Sequence, residues 1–278
     1  MISQTFFSTM DERFLIKSVP RHFEYSFFRD DLLEPYVEYM QCHLRSMLVR
    51  ITGFLANNST ALGGILGLAP THHIIMENLL AGKSHAENAG GEKWQTFDLK
   101  PTSYFFPERD IAGGRLASDA TKSKLADKFE DTIVLTRSQA GDFLAQLDQD
   151  TEFLQKCNAV DYSLFLVRVP VSPSQDPFAD DADHDNTPEA LEEPPFTPPA
   201  PPTWRTGIES ADGKYVFRAV VLDFFWAKHK TIPRIFTLLI KLWNLIGCGQ
   251  DQMSITTAPE EYRNRFLRMC NDMIEVKE

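Results

Sequence analysis

The first 80 residues alternate between short apolar runs and polar turns, a pattern that predicts β-strands around one helix. Apolar residues recur at helical spacing over His22–Met47, and Pro35 interrupts that pattern. Four runs have the composition of strands, namely Thr5–Ser8, Arg13–Val19, Leu48–Leu55 and His72–Asn78. We therefore predict a mainly β unit with one prominent helix.

The second half of the chain has longer helical patterns. Apolar residues fall on one face over Ser138–Cys157, and the run Ile232–Ile246 reads as a buried helix. A last helix opens with Thr257 and Glu260 in capping-box spacing. The mixture of strands and helices predicts an α+β fold.

The segment 171–203 separates two apolar strand-like runs, residues 162–169 and 215–225. It holds eight acidic residues, no lysine or arginine, and nine of the 17 prolines of the chain. Such a composition cannot bury enough apolar surface to offset its chain entropy, which predicts a disordered insertion between two strands. The alternative is a ligand for a proline-recognising module, so a protein partner through this loop stays open.

The acidity of the chain is concentrated in that insertion. The formal net charge is −11, and without the eight acids of the insertion it is −3. The remainder is nearly neutral, which leaves room for a basic face toward an anionic partner. We expect no nucleic-acid partner.

The spacing of the cysteines and the length of the longest apolar run indicate where in the cell the protein is expected. The four cysteines form no CxxC pair, which favours reduced thiols over a zinc site or a disulfide framework. The longest apolar run, Ile235–Cys248, has only 14 residues and contains a lysine, so it is too short and too polar to span a bilayer. We expect a cytoplasmic protein.

Three charged residues stand beside apolar strands, where a charge is costly unless it has a partner. Lys17 ends the run FLIK, Asp161 precedes a strand in VDYSLF, and Asp223 follows one in VVLDFF. Phosphoryl transfer needs a cation on the phosphates, a carboxylate near the attacking hydroxyl and a carboxylate for magnesium. Each residue alone fits a solvated lysine or a turn aspartate, and the combination favours a metal or acid–base role.

The chain resembles the phosphatidylinositol phosphate kinases through an ordered set of motifs. VDYSLFLV is similar to the family's MDYSLLLG motif, VVLDFF to its IID strand, and TFDLKPTSY to its DLKGSTY motif. DERFLIKSV resembles the strand with the ATP lysine, FEYSFFRDDLLEPYVEYM the next helix, and HHIIMENLL the hinge strand. The resemblance runs from about Ser3 to Met273 and leaves out only the acidic insertion.

The resemblance implies a two-lobed, protein-kinase-like α+β fold with antiparallel sheets in both lobes. The small lobe would span residues 1–80 and the large lobe residues 81–278, with the insertion inside the large lobe. ATP and Mg²⁺ are the implied cofactors, and a phosphoinositide lipid at a membrane surface is the implied partner.

The family's motifs also imply roles for single residues. Lys17 would contact the ATP phosphates with Glu24 as its partner on the following helix, and Asp223 would bind magnesium. Asp161 would orient or deprotonate the attacking hydroxyl, and Lys100 would lie near the transferred phosphate. The residues implied for the adenine pocket are Met76, Asn78 and Leu79.

Departures from the family pattern leave two functions open. The nucleotide loop, which is glycine-rich in the family, aligns here with Ser3–Thr5, although glycine is what lets backbone amides approach phosphates closely. Pro101 replaces the glycine of DLKGS and removes a backbone donor beside Lys100. The retained lysines and aspartates favour ATP-dependent transfer to an inositol headgroup, whereas the altered loop favours a catalytically impaired, kinase-like scaffold.

The segment that follows VVLDFF, with the sequence WAKHKTIPRIF, corresponds to the family's substrate-recognising loop. It contains Lys228, Lys230 and Arg234 but no acidic residue, so the choice of phosphoinositide does not carry over. These three cations are the candidates for contact with the lipid and the membrane, and they imply a peripheral membrane location.

Overall fold

The computed structural model describes residues 6–56, 71–88, 90–101, 129, 131–171, 202–227 and 258–277. Its fold is α+β, as predicted from the sequence. Within these ranges, no helix has the length and apolar character needed to cross a membrane. The predicted helix Ile232–Ile246 and nearly all of the acidic insertion lie outside the described residues.

The first sheet has four antiparallel strands that all come from the first 80 residues. Its strands are β1 (Phe6–Ser8), β2 (Phe14–Ser18), β3 (Ile51–Ala56) and β4 (His72–Glu77), in the spatial order β1-β2-β4-β3. Lys17 on β2 lies opposite Phe6 on one side and Ile74 on the other. The four predicted strands are therefore confirmed, and none of their ends shifts by more than three residues.

A nearly continuous helical segment connects β2 to β3. It consists of α1 (His22–Phe27), a π-helical turn (Phe28–Leu32) and α2 (Leu33–Cys42). The predicted interruption of the helix at Pro35 is present, but it lies earlier, at the π-helical turn. The proline ring would clash with the carbonyl of Asp31 in a regular α-helix, and the wider π turn makes room for it. The predicted helix end at Met47 is wrong, since the helix ends at Cys42.

The second sheet is also antiparallel and comes from the later part of the chain. Its strands are β5 (Gln95–Leu99), β8 (Ser163–Pro170), β9 (Ile208–Glu209) and β10 (Tyr215–Leu222), in the order β5-β8-β10-β9. The strands β8 and β10 pair along their whole length, from Ser163 opposite Leu222 to Pro170 opposite Tyr215. Both strands were predicted from their apolar runs, and both are confirmed.

Two short strand pairs and three helices complete the described structure. The strands β7 (Ala159–Val160) and β11 (Trp226–Ala227) pair antiparallel, and β6 (Ile133–Thr136) and β12 (Ile274–Lys277) pair parallel. The helices are α3 (Lys83–Asn88), α4 (Arg137–Lys156) and α5 (Pro259–Asp272). Helix α4 confirms the predicted helix and begins at a capping box formed by Thr136 and Gln139.

The start of α5 corrects the predicted capping box. The N-cap residue of α5 is Ala258, whose side chain makes no capping hydrogen bond, and a proline occupies the first turn. Thr257 lies outside the described residues. The helix is held from its buried face instead, where the hydroxyl of Tyr262 donates a hydrogen bond to the carbonyl of Tyr162.

Residues 46–49 link the two sheets through their backbone. The amide of Met47 donates to the buried carboxylate of Asp150 on α4 at 2.6 Å. The Met47 carbonyl accepts from the Val221 amide at 2.7 Å, and the Val49 amide donates to the Val221 carbonyl at 3.0 Å. The guanidinium of Arg205 donates to the carbonyl of Ser46, with 3.0 Å from Nε. This segment therefore fixes the end of β10 against the first sheet.

We predict that Asp150→Ala lowers the free energy of unfolding by about 3 kcal/mol, because it leaves the Met47 amide and the Tyr39 hydroxyl without their acceptor. Asp150→Asn should cost less, since its amide oxygen still accepts one of these bonds. Asp148→Ala is the control on the same helix: its carboxylate is 59 % exposed and pairs with Arg263, so we expect a loss below about 1 kcal/mol. Urea denaturation measures all three, and equal losses for Asp150→Ala and Asp148→Ala would contradict the linking role.

Candidate functional site

Two aspartates lie at the same end of the central strand pair of the second sheet. Asp161 precedes β8 and Asp223 follows β10, and the register places Ser163 opposite Leu222 between them. Both aspartates have a left-handed backbone, with φ of 66° for Asp161 and 64° for Asp223. Asparagine and aspartate tolerate this conformation better than other residues with a side chain, at a cost of about 1 kcal/mol or more. The turns thereby present both carboxylates at the edge of the sheet.

Lys17 forms an ion pair with Asp223 and so brings the first sheet to the second. Its side chain is 4 % exposed, whereas that of Asp223 is 31 % exposed. The ring of Phe6, which lies opposite Lys17 in the sheet, is centred 5.4 Å from its Nζ. Burial alone would raise the pKa of Asp223, but the positive charges of Lys17 and Lys100 outweigh it and hold that pKa below its ordinary value.

Lys100 makes a second lysine–aspartate pair beside the first. Its Nζ lies 2.8 Å from Oδ1 of Asp161 and 2.7 Å from the Asp161 carbonyl oxygen. Burial would lower the pKa of Lys100, but the carboxylates of Asp161 and Asp223 outweigh it and raise that pKa. Burial raises the pKa of Asp161, and Lys100 offsets only part of this effect. A carboxylate with a raised pKa is a better proton acceptor than an ordinary surface aspartate.

Glu24 does not form the implied pair with Lys17. Its carboxylate pairs with Arg21 at 3.3 Å, because the amine of Lys17 is already engaged by Asp223. Glu24 is buried, and its Oε2 has no hydrogen-bond partner among the described residues. Burial raises the pKa of Glu24 to about 7, against the lowering effect of Arg21 and Lys17.

The residues implied for the adenine pocket lie at the end of β4. Met76 and Leu79 are 4 % and 6 % exposed and form an apolar wall. The side chain of Asn78 is occupied within the protein, since its Nδ2 donates to the Glu12 carbonyl at 2.7 Å and its Oδ1 accepts from the Leu80 amide at 3.0 Å. The hydrogen bonds of this side chain thus serve the protein, and backbone groups at this point are better suited to a ligand.

The surroundings of the two lysine–aspartate pairs include the remaining candidate residues and any ligands for a metal ion. Lys228, Lys230 and Arg234 lie outside the described residues. In the part of the chain that the structure covers, no three His, Cys, Asp or Glu side chains are grouped to hold a metal ion. A divalent cation at Asp223 therefore needs further oxygen ligands from a bound phosphate or from water.

Sequence reasoning missed two charged residues at this site, Asp98 and Arg21. Asp98 lies on β5, two residues before Lys100. The charges of Lys100, Asp223 and Lys17 act on its carboxylate. Strand alternation is the signal that could have found it, because residues two apart share a face. Arg21 stands three residues before Glu24, a spacing that favours an ion pair at a helix start.

Comparison with known proteins adds a match over almost the whole chain. The family model of phosphatidylinositol-4-phosphate 5-kinase matches residues 2–273. No curated protein matches the chain.

We predict that Glu24 makes the stability of the protein depend on pH. Between an unfolded pKa of 4.5 and a folded pKa of about 7, the folded state binds a proton that the unfolded state does not. The stability contributed by Glu24 therefore falls as the pH rises through this window, and it is constant above it. The free energy of unfolding of Glu24→Gln, taken relative to that of wild type, should therefore be about 2 kcal/mol higher at pH 8 than at pH 5.

Urea denaturation of wild type and Glu24→Gln at the two pH values measures this difference. Glu38→Gln, an exposed glutamate of α2, is the matched control and should show no such change between pH 5 and 8. A pH-independent difference between wild type and Glu24→Gln would show that the Glu24 carboxylate is not held in a costly buried state.

Proposed function

The chain belongs to the phosphatidylinositol phosphate kinase family, and on that premise we propose that it transfers the γ-phosphate of ATP to the inositol headgroup of a phosphatidylinositol phosphate. The family match supports a lipid-kinase type of activity. The observation that carries the proposal is the pair of adjacent lysine–aspartate contacts, Lys17 with Asp223 and Lys100 with Asp161. Phosphoryl transfer requires a cation for the phosphates, a carboxylate near the attacking hydroxyl and a carboxylate for magnesium, and these two pairs contain all three.

We propose that the architecture is the two-lobed, protein-kinase-like one, with residues 1–80 as the small lobe and residues 81–278 as the large lobe. In support, the strands of the first sheet all precede residue 80 and those of the second sheet all follow it. The contact between Lys17 and Asp223 then lies between the lobes, which is where a nucleotide has to bind.

Lys17 and Asp223 are proposed to receive the phosphates of ATP and the magnesium ion. Their ion pair indicates that an amine and a carboxylate reach one point, where a phosphate oxygen can meet Lys17 and Mg²⁺ can meet Asp223. The residues fit the ion, because Mg²⁺ prefers one or two carboxylates together with phosphate oxygens and water. When bound, Mg²⁺ supplies neutralisation of the phosphate charge.

Asp161 and Lys100 are proposed to act on the reacting groups. Asp161 accepts the proton of the attacking inositol hydroxyl, whose oxygen forms a bond to the γ-phosphorus. The bond from that phosphorus to the bridging oxygen breaks, and ADP leaves with the electron pair. Lys100 holds Asp161 through the carboxylate and the carbonyl, and its positive charge favours the transferred phosphate.

The adenine base is proposed to lie against Met76 and Leu79, with backbone groups near Asn78 as hydrogen-bond partners. The substrate is proposed to reach the site from an anionic membrane surface, with Lys228, Lys230 and Arg234 as its contacts. Three cations close to the magnesium carboxylate in sequence support this, because each basic residue near such a surface contributes about 1 kcal/mol. The protein would then act peripherally at cytoplasmic membranes.

We predict that Asp223→Asn and Asp161→Asn each reduce phosphate transfer to phosphatidylinositol phosphates by about a thousandfold or more, since each removes a charge at nearly constant volume. Asparagine is chosen because it tolerates the positive φ of both positions. Asp142→Asn, an aspartate that is 60 % exposed on α4, is the matched control and should keep wild-type activity. Transfer of radiolabelled phosphate from ATP measures the rates, and an unimpaired Asp223→Asn variant would remove the metal role.

Nucleotide binding and phosphate transfer by the wild-type protein distinguish a kinase from a catalytically impaired scaffold. ATP with Mg²⁺ at a hundredfold excess over its dissociation constant should stabilise the fold by about 2.7 kcal/mol and raise the melting temperature. A protein that neither gains stability from ATP with Mg²⁺ nor transfers phosphate would be a scaffold, whatever its family.

We predict salt-sensitive binding to liposomes that contain phosphoinositides, reduced at least tenfold in the double variant Lys228→Glu, Lys230→Glu. The matched control is Lys214→Glu, Lys277→Glu, which makes the same change in net charge at two exposed lysines elsewhere on the protein. Cosedimentation at low and high salt measures the bound fraction. Equal binding by the two double variants would move the lipid contact away from residues 228–234.

A further inference from the structure

The turn that follows β4 is fixed by hydrogen bonds at every step. The Asn78 amide donates to the Arg13 carbonyl at 3.0 Å, and the Asn78 carbonyl accepts from the Ala81 amide at 3.2 Å. The Asn78 side chain accepts from the Leu80 amide at 3.0 Å. The backbone from 78 to 81 therefore has one orientation, which is set by the protein itself.

The amide N–H of Leu79 is the exception within this turn. No described residue accepts a hydrogen bond from it, although Leu79 is only 6 % exposed. A trans peptide points its N–H opposite to the preceding carbonyl, and the Ala81 amide fixes the carbonyl of Asn78. The Leu79 N–H therefore has a fixed direction, and a buried donor of this kind is costly until an acceptor satisfies it.

Arg218 locks the same turn from the second sheet. Its Nη1 lies 2.9 Å from the carbonyl oxygen of Leu79 and 3.3 Å from that of Ala81. The guanidinium carbon is 4.8 Å from the ring centre of Trp94, so the cation also interacts with an aromatic ring. A single nitrogen of Arg218 thus reaches both carbonyls while the guanidinium also contacts Trp94, a combination that lysine cannot reproduce as well.

Arg205 secures the strand end just before the turn. Its side chain is 8 % exposed and forms an ion pair with Glu77, the last residue of β4. The same guanidinium donates to the carbonyls of Ser46 and Leu48. Glu77 also accepts from the Arg50 amide at 2.8 Å. The two arginines therefore hold the turn on both sides without touching the proposed reacting groups.

We propose that Arg218, supported by Arg205, is a positioning residue for adenine: it fixes the turn 78–81 so that the Leu79 N–H meets a ring nitrogen of the base. The ligand class is an adenine nucleotide, and the inference rests on the proposed function. Neither arginine contacts the phosphates or the reacting hydroxyl in this scheme. Their effect is therefore confined to affinity for the base.

The experiment compares Arg218→Gln and Arg218→Lys with wild type, using ATP with Mg²⁺ and, separately, tripolyphosphate with Mg²⁺, which has the phosphates but no base. Arg218→Gln should bind ATP about tenfold more weakly, and Arg218→Lys should recover part of the loss. Binding of tripolyphosphate should be unchanged. In the transfer assay the KM for ATP should rise by the same factor, while kcat stays within about twofold.

Arg168→Gln is the matched control, because Arg168 is likewise a partly buried arginine, with a side chain that is 12 % exposed, and its hydrogen bonds go to Asp131 and Gln95 rather than to the turn. Hydrogen exchange gives a readout without activity: the amides of 78–81 should exchange faster in Arg218→Gln and not in Arg168→Gln. If Arg218→Gln does not fold, Glu77→Gln is the second variant, since it removes the charge that Arg205 meets and should likewise weaken ATP but not tripolyphosphate.

Each outcome decides the question. ATP binding by wild type that is unchanged in Arg218→Gln and Glu77→Gln overturns the inference and leaves the proposed function standing. An equal loss for ATP and tripolyphosphate also overturns it, because the effect is then on the cleft as a whole. Wild type that binds no ATP at all overturns the proposed function and this inference together.

Discussion

The backbone of residues 46–49 is the constraint on which the arrangement of the site depends. Its amides and carbonyls form hydrogen bonds with Asp150 on α4, Val221 on β10 and the side chain of Arg205. The hydroxyl of Tyr36 also donates to the Val49 carbonyl at 2.7 Å. Because almost no group of this segment is left to water, it cannot shift without breaking several contacts at once. The end of β10 carries Asp223, so the same segment determines where that carboxylate stands relative to Lys17 on the first sheet.

Charge balance explains why the site is stable with so many ionisable groups close together. Lys17 and Lys100 each engage one aspartate, and they offset the burial that would otherwise neutralise the carboxylates. Arg21 offsets the charge of Glu24, which takes a raised pKa as a result of its burial, and Asp98 adds one acidic group beyond these pairs. A site with excess negative charge is suited to a divalent cation, which restores neutrality when it enters with a polyphosphate.

Much of the fold was predictable because local sequence patterns determine its helices and strands. Apolar runs located β2, β4, β8 and β10, and helical periodicity located α4, although the capping box that begins it at Thr136 was not recognised. The parallel pair of β6 and β12 was missed, since each strand has four residues and its partner lies far away in sequence. For the site, motif likeness selected Lys17, Lys100, Asp161 and Asp223, and the structure brings them together in two pairs. Which lysine pairs with which carboxylate depends on tertiary geometry that no local pattern encodes, whereas the spacing of Arg21 and Glu24 does favour the ion pair that they form.

The left-handed backbone at Asp161 and Asp223 has a consequence for how this protein can change over generations. A single-nucleotide change converts an aspartate codon into one for glycine or asparagine, the two residues that this conformation accommodates best. Either change deletes a carboxylate and keeps the backbone conformation of the turn. It also leaves the buried amine of Lys17 or Lys100 without its counter-charge, so the chain loses the carboxylate at the expense of some stability. A copy of the gene with such a change would differ by a single codon from one that keeps the carboxylate.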